Sequence, residues 1–94
     1  HGHGCYINAS GDTYEGEYRY GLKKGYGILK SIDNTVYEGE FKDDLFEGNG
    51  RYRYKNEGIY EGDFKRGKRH GIGTYVCSLY KYIGEWKNDK KGRN

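Results

Sequence analysis

The sequence has few aliphatic side chains. Its 94 residues include four leucines, six isoleucines, two valines and no methionine, whereas tyrosine, phenylalanine and tryptophan number 12, three and one. A core of packed Leu, Ile and Val is therefore excluded, and so low a content would by itself favour disorder. A net charge of only +3 and the presence of 17 glycines argue for a regular structure instead.

Long apolar segments are also missing. The sequence has no run of 18 apolar residues and no basic leader followed by an apolar stretch. We therefore expect neither a membrane-spanning helix nor a signal peptide, and any contact with a membrane would be peripheral.

Glycine-centred repeats are the dominant pattern that is present. A Gly-X-Gly pair recurs every 23 residues, and a Tyr-X-Gly-acid-aromatic motif recurs at intervals of 23, 23 and 22 residues. The pairs begin at Gly2, Gly25, Gly48 and Gly71, and the second motif begins at Tyr14, Tyr37, Tyr60 and Tyr82. A fixed period of about 20 to 50 residues indicates a repeat array. Leucine-rich repeats share this period, but four leucines are too few for them.

Residue alternation inside each repeat predicts two β-strands joined by a short polar turn. In YEGEF, Tyr37, Gly39 and Phe41 share one face, because successive side chains of a strand point to opposite sides. The next strand, GNGRYRY, alternates in the same way, and the turns between the strands read YGLKKG, DDLFEG and RGKRHG. We predict an all-β fold, a single-layer elongated antiparallel sheet of successive 23-residue β-hairpins that curves into a groove.

Rings lying over glycines are expected to replace the missing aliphatic core. A ring can lie flat over a neighbouring residue that has no side chain, and each ring buries about 150–250 Å². The predicted glycine columns on this face are Gly16/Gly39/Gly62/Gly84, Gly25/Gly48/Gly71 and Gly27/Gly50/Gly73. The opposite face is expected to be a ladder of ion pairs, in which rows such as Glu17/Glu40/Asp63/Glu85 pair with Lys30, Arg51 and Arg53.

The motifs YEGEFKDDLFEGNGRYRY, YEGDFKRGKRHGIGTY and YEGEYRYGLKKGYG resemble MORN (membrane occupation and recognition nexus) repeats, whose pattern is of the YEGEFxxGxxHGxGxY kind. The resemblance covers essentially the whole chain. It divides the chain into a partial repeat at 1–13, repeats at 14–36, 37–59 and 60–81, and a partial repeat at 82–94. The incomplete first and last repeats lead us to expect a piece of a longer array. The third repeat is one residue short and ends VCSLYKY, and Ile83 stands where the other repeats have Glu.

The resemblance implies a non-catalytic scaffold or adaptor, of the kind found in cytoskeletal and membrane-junction proteins. It implies two classes of ligand, protein segments lying in an aromatic groove and acidic phospholipids. We prefer the first class, because an aromatic concavity is the largest feature that the sequence is expected to build. The predicted partner-binding groove consists of Tyr14, Tyr18, Tyr37, Phe41, Tyr52, Tyr54, Tyr60, Phe64, Tyr75, Tyr82 and Trp86.

The alternative is a peripheral membrane adaptor that acts through basic hairpin turns. The candidate residues for binding anionic headgroups are Lys23, Lys24, Lys68, Arg69, Lys90 and Lys91. Each cation near such a surface contributes roughly 1 kcal/mol. Added salt distinguishes the two hypotheses. Binding of a protein segment in the groove should persist at high salt, whereas binding of headgroups should be lost.

Two further partners follow from the predicted sheet. Its outer strands would leave backbone donors and acceptors unpaired, so we expect self-association into homo-oligomers through the sheet edges. Nucleic acid is not an expected partner. The aromatic and basic residues of RYRYK alternate onto opposite faces, so one strand surface could not provide both stacking and phosphate contacts.

The sequence predicts no catalytic residue, no cofactor and no metal site. Acidic pairs such as Glu15 and Glu17 recur in the repeats on an open face, which favours a structural role. His70 is expected to make a structural hydrogen bond. Cys5 and Cys77, the two cysteines, would lie about six strands or ~29 Å apart, so no disulfide is expected within the chain. This favours a reducing, cytoplasmic location, with the association to cytoskeleton or membranes that the resemblance implies.

Overall fold

A computed structural model describes residues 2–55 and 58–91. These residues form one antiparallel sheet in which nine strands follow one another in chain order. The strands are β1 (Gly2–Ile7), β2 (Thr13–Arg19), β3 (Leu22–Lys30), β4 (Val36–Lys42), β5 (Leu45–Arg53), β6 (Ile59–Lys65), β7 (Lys68–Val76), β8 (Lys81–Lys87) and β9 (Lys90–Lys91). The molecule measures 43 × 23 × 16 Å. The all-β hairpin array predicted from the sequence is confirmed. Parts of the predicted repeats, at positions 1, 56–57 and 92–94, lie outside the described residues.

The turns inside the hairpins are tighter than the sequence analysis proposed. Each consists of two residues with positive φ, Tyr20–Gly21, Asp43–Asp44, Arg66–Gly67 and Asn88–Asp89. The φ angles lie between 49° and 83°, as in the type I′ turn, whose twist matches that of the flanking strands. The basic residues assigned to longer turns therefore lie on strands β3, β7 and β9.

A β-bulge follows in each complete hairpin. The strand register shifts between Gly16 and Glu17, between Gly39 and Phe41, and between Gly62 and Phe64. On the partner strands Gly25, Gly48 and Gly71 have φ of 73°, 77° and 74°, the left-handed conformation that favours glycine. The prediction that these three glycines form a column under the rings is wrong, because each lies at a bulge and faces an acidic side chain, Glu17, Glu40 or Asp63.

Acidic side chains on the opposite face support the bulges. The Asn49 N–H donates to Glu40 Oε1 at 2.9 Å, and the Ile72 N–H donates to Asp63 Oδ2 at 3.2 Å. The predicted ladder of ion pairs is therefore wrong for Glu40 and Asp63, which accept backbone amides. In the described part of the chain the two ion pairs within 4.0 Å are Lys23–Asp44 and Arg69–Asp89.

The core is a layer of rings over glycines, as the sequence predicted. Tyr14, Tyr37 and Tyr60 are 2%, 1% and 0% exposed, and each lies over two paired glycines, such as Gly39 and Gly50 for Tyr37. Each tyrosine hydroxyl donates to the carbonyl oxygen three residues further on, at 2.9, 2.6 and 2.8 Å. Each hydroxyl therefore fixes its ring to the backbone of its own strand.

The same ring contact joins one repeat to the next. The centroids of Tyr14 and Phe41 lie 5.3 Å apart with an edge-to-face geometry. Tyr37 and Phe64 repeat this contact at 5.2 Å, as do Tyr60 and Trp86 at 5.2 Å. Such aromatic pairs contribute about 0.5–1.5 kcal/mol beyond the area they bury, so the interfaces between repeats are nearly identical in chemistry.

These buried phenols predict alkaline unfolding. Burial raises the pKa of Tyr14 and of Tyr60 to about 12, from a usual value of 10.0. Folding therefore favours the protonated phenols, and their contribution to stability is complete below pH 10 and is lost as the pH rises towards 12. We expect absorbance at 295 nm to show a late ionisation of buried tyrosines that coincides with loss of the far-UV circular dichroism signal. Complete tyrosine ionisation below pH 11 with the fold intact would contradict this assignment.

Candidate functional site: the aromatic face

The structure divides the eleven rings of the predicted groove into two groups. Six are buried, with at most 5% of the side chain exposed, and they are Tyr14, Tyr37, Phe41, Tyr60, Phe64 and Trp86. Five are half-buried and pack against them, and they are Tyr18, Tyr52, Tyr54, Tyr75 and Tyr82. The expectation that all eleven rings line an open groove is therefore wrong for the first six, because rings of neighbouring repeats pack edge to face and cover one another.

Basic side chains provide part of this cover. The Lys23 Nζ lies 5.5 Å from the centre of the Tyr14 ring, and the Arg69 Cζ lies 4.4 Å from that of Trp86. The Lys91 Nζ lies 4.4 Å from that of Tyr80. The corresponding position in the second hairpin is Phe46, which stacks on Tyr37 at 3.8 Å. These are cation–π and stacking geometries, and they follow from the two-residue turns, which direct the second residue of each returning strand to the aromatic face.

The six basic residues predicted to bind headgroups are consequently split between two faces. Lys23, Arg69 and Lys91 lie over rings, and the first two also pair with Asp44 and Asp89. The adjacent residues Lys24, Lys68 and Lys90 lie on the opposite face, with Lys68 and Lys90 exposed. A single edge bearing all six cations is therefore not present.

One part of the aromatic face is concave and accessible. A cleft of about 280 Å³, which we call the C-terminal cleft, is lined by Tyr54, Arg69, Tyr75, Tyr80, Trp86, Asp89 and Lys91. The rings of Tyr54 and Tyr75 are 5.7 Å apart, and those of Tyr75 and Tyr80 are 5.8 Å apart. The cleft thus joins rings from three separate segments of the chain.

Arg69 is held rigidly in the C-terminal cleft. Its backbone N–H and its Nε donate to Asp89 Oδ1 at 2.7 and 3.2 Å, and its Nη2 donates to the Asp89 carbonyl oxygen at 2.9 Å. Burial raises the pKa of the nearby Tyr54 to about 12, although the Arg69 charge acts in the opposite direction. At neutral pH the cleft therefore presents neutral phenols beside a fixed guanidinium.

Tyr80, which was not among the predicted site residues, is 48% exposed at the mouth of the C-terminal cleft. A turn closed by the Cys77 N–H donating to the Tyr80 carbonyl oxygen at 3.0 Å places it there. The available signal was the atypical connection VCSLYKY, where the third repeat is one residue short.

A smaller cleft of about 140 Å³ lies at the other end of the aromatic face. Its ring-bearing residues are Tyr6, Tyr14 and Tyr18, with Lys23 and Leu29 beside them. The Tyr6 and Tyr18 rings meet edge to face at 4.3 Å. These two rings therefore already cover part of each other's surface.

The groups in the two clefts are suited to binding. Phenol rings, a guanidinium and an ammonium can stack, donate hydrogen bonds and attract an anion. Among residues 2–55 and 58–91, no group of three or more His, Cys, Asp or Glu side chains could hold a metal ion, and no helix that could cross a bilayer occurs. The Nδ1 of His70 is buried and has no hydrogen-bond partner in that part of the chain.

The open array of short hairpins with rings over glycines defines a class of β-repeat module. The family model described as MORN repeat matches the chain at residues 1–13, 14–36, 37–59, 60–78 and 82–93. The chain therefore belongs to the MORN repeat family. A comparison with curated proteins finds no match. MORN repeats are generally non-catalytic modules with protein–protein and membrane-associated adaptor roles.

Proposed function

We propose that this chain is a non-catalytic scaffold module that binds a segment of another protein in the C-terminal cleft. The observation that supports this is the concavity of about 280 Å³ lined by Tyr54, Tyr75, Tyr80 and Trp86 together with two cations. Tyrosine, tryptophan and arginine are the residues most enriched where proteins bind each other tightly. We also propose a reducing, cytoplasmic setting, since Cys5 and Cys77 are both free thiols.

Preorganisation favours the C-terminal cleft as a binding surface. Arg69 is held by Asp89, and Trp86 Nε1 donates to the Gly73 carbonyl oxygen at 3.3 Å. Side chains that are already fixed lose little conformational entropy when a partner binds, so more of the contact energy appears as affinity. An extended or helical segment with an apolar side chain for the cleft and an acidic one for Arg69 or Lys91 would match its chemistry.

A peripheral membrane adaptor is the weaker alternative. Three of the six predicted headgroup-binding residues, Lys23, Arg69 and Lys91, are already engaged with rings. Their ammonium and guanidinium groups would have to leave those contacts in order to reach a lipid phosphate. Fewer free cations reduce the electrostatic attraction to an acidic bilayer, which depends on several charges near its surface.

The lone tryptophan provides a direct test. Twelve-residue random peptides displayed on phage would be selected on the chain, and the selected peptides synthesised and titrated while Trp86 fluorescence is recorded. We expect Tyr75→Leu and Tyr80→Leu each to weaken binding by about 1–3 kcal/mol, the scale of interface hot spots, because leucine fills space but lacks the flat ring. The folded state should persist, since both rings lie outside the buried core.

The matched control is Tyr26→Leu, which removes a ring that is 57% exposed on the opposite face. Tyr26→Leu should leave the peptide affinity unchanged. The substitutions Lys68→Gln and Lys90→Gln, measured at physiological salt, should also leave it unchanged. Selected peptides that ignore Tyr75→Leu and Tyr80→Leu would argue against the C-terminal cleft. Binding to acidic vesicles that is lost with Lys68→Gln and Lys90→Gln, with no peptide binding, would favour the membrane adaptor.

A further inference from the structure

The face of the sheet opposite the rings becomes more apolar towards β8. On β7 and β8 it presents Ile72, Val76 and Ile83, whose side chains are 59%, 41% and 64% exposed. Val76 is paired directly with Ile59 of β6, and Ile83 is paired with Thr74, which separates Ile72 from Val76 on β7. These four aliphatic side chains lie on one face of the sheet around Thr74, and we call this surface the outer patch.

The fold does not require the outer patch. In the preceding repeat the positions equivalent to Ile72, Val76 and Ile83 are occupied by Asn49, Arg53 and Glu61. The backbone pairing is the same, since Asn49 pairs with Asp63 as Ile72 pairs with Glu85, and Arg51 pairs with Glu61 as Thr74 pairs with Ile83. Polar and charged side chains are therefore compatible with this surface, and a cluster of exposed aliphatic ones indicates contact with another molecule.

A row of lysines lies on the same face, near the hairpin turns. Lys65 is paired directly with Lys68, and Lys87 with Lys90, and all four are exposed. Like charges directly opposite each other on a sheet are destabilising. Within the described residues, the ion pairs within 4.0 Å involve other cations, Lys23 and Arg69. An anionic partner would relieve this repulsion.

The dimensions of the surface suit one helix. Lys65 lies six positions beyond Ile59 on β6, so at 3.2–3.4 Å per residue the surface from the far end of the patch to the lysine row is about 20 Å long. The three strands β6 to β8 are about 10 Å across, close to the diameter of an α-helix. A helix of about 14 residues laid along the strands would reach from one to the other.

We propose that the outer face of β6 to β9 is a second docking surface, and that it binds an acidic amphipathic helix of a partner protein. The apolar end of that helix covers the outer patch, and its acidic end meets the lysine row. Glu61 and Glu85 lie on the same face between the two, and these carboxylates would be repelled by the continuous negative charge of an acidic bilayer. A protein segment can instead place its charges to suit both signs. With the C-terminal cleft on the other face, the module would bridge two proteins.

The test uses a designed probe. A fluorescein-labelled 14-residue helical peptide carries glutamates on one face of its N-terminal half and leucines on the same face of its C-terminal half. Fluorescence anisotropy with the full chain measures its affinity. The key variant, Ile72→Asn/Val76→Arg/Ile83→Glu, installs the residues of the preceding repeat, and we expect it to weaken binding at least tenfold with an unchanged melting temperature. A second variant that removes the lysine row should also weaken binding at least tenfold; it carries Lys65→Gln, Lys68→Gln, Lys87→Gln and Lys90→Gln. In 0.5 M salt the difference in affinity between this variant and the unsubstituted chain should become smaller.

The controls are one further variant of the chain, one changed peptide and one single substitution. Ile28→Arg makes the matched change elsewhere on the outer face, where the next repeat has Arg51, and it should not change the affinity for the peptide. A peptide with lysine for glutamate should not bind. If the triple variant fails to fold, Ile83→Glu alone provides the comparison, since Ile83 is the most exposed of the three.

Several outcomes would overturn the proposal. One is a probe that does not bind, or that binds the triple variant equally well. Another is binding of vesicles of phosphatidylcholine and phosphatidylserine, but not of the peptide, that depends on the outer patch, which would identify a lipid surface. A third is a concentration-dependent dimer in sedimentation that the triple variant abolishes, which would identify the patch as an interface between copies of this chain.

Discussion

Replacing Gly39 by valine should lower the melting temperature by about 10 °C or more. A Cβ at this position would lie 2.6 Å from the Asn49 carbonyl oxygen and 2.7 Å from the Tyr37 hydroxyl. The first of these is backbone of the neighbouring strand and cannot rotate away, so the strands or the ring must move. Overpacking of this kind costs about 1–3 kcal/mol or more, and each kcal/mol shifts the melting temperature of a domain this small by about 4–8 °C.

Glu61→Gln is the matched control for Gly39→Val. Glu61 is exposed on the opposite face, and an exposed charge contributes about 0–1 kcal/mol. Thermal denaturation followed by circular dichroism compares the two variants. Equal melting temperatures would show that rings over glycines are not what holds the sheet together.

Removing the Tyr60 ring should have the other large effect. Tyr60 is fully buried, its hydroxyl donates to the Asp63 carbonyl oxygen at 2.8 Å, and its ring meets Phe64 and Trp86. Tyr60→Ala leaves a cavity over Gly62 and Gly73, and we expect it to cost about 3–5 kcal/mol, the range found when a buried aromatic is cut to alanine. Because a folded domain is stable by only about 5–15 kcal/mol, this loss should remove a large part of the stability of the 94-residue chain.

Tyr60→Phe separates the ring from its hydroxyl. It keeps the ring and removes one hydrogen bond, so it should cost only about 0.5–1.5 kcal/mol. Urea unfolding of both variants gives the two free energies of unfolding. A Tyr60→Phe variant as unstable as Tyr60→Ala would assign the stability to the hydroxyl, against the packing account given above.

The sequence determined the architecture because two regular signals agree in it. The interval of 23 residues defines the hairpins, and the alternation of Tyr37, Gly39 and Phe41 places rings and glycines on one face. Each ring then has a single available surface, the glycine pair of its own hairpin, so the core could be predicted without knowing distances. The paired columns Gly39–Gly50 and Gly62–Gly73 confirm this.

The details near the hairpin turns could not be predicted from alternation alone. A two-residue turn followed by a bulge at Gly48 or Gly71 changes the register by local backbone geometry, and a strict period of two does not reveal it. The pairs Tyr20–Gly21 and Arg66–Gly67 resemble tight-turn sequences and were the available signal. Without the bulge, Glu40 and Asp63 were assigned to ion pairs when they support backbone amides.

The candidate site was predicted only in part for the same reason. The face was identified correctly as aromatic, but which rings are accessible depends on how neighbouring repeats overlap. Phe64 and Trp86 are contacted by Tyr37 and Arg69, which lie 27 and 17 positions away in the sequence, and no local pattern reports these contacts. Tyr80 came from the one irregular connection, where periodicity gives no guidance.

The strictly sequential strand order has a mechanical consequence. Since β1 and β9 lie at opposite ends of the sheet, tension applied between the two ends of the chain acts across the strands. Backbone hydrogen bonds are then loaded one after another and not all together, so hairpins should peel off singly at low force. Each 23-residue repeat would release roughly 80 Å of chain in place of the ~10 Å it occupies in the sheet. An array of this kind therefore behaves as an extensible tether whose length grows in equal steps.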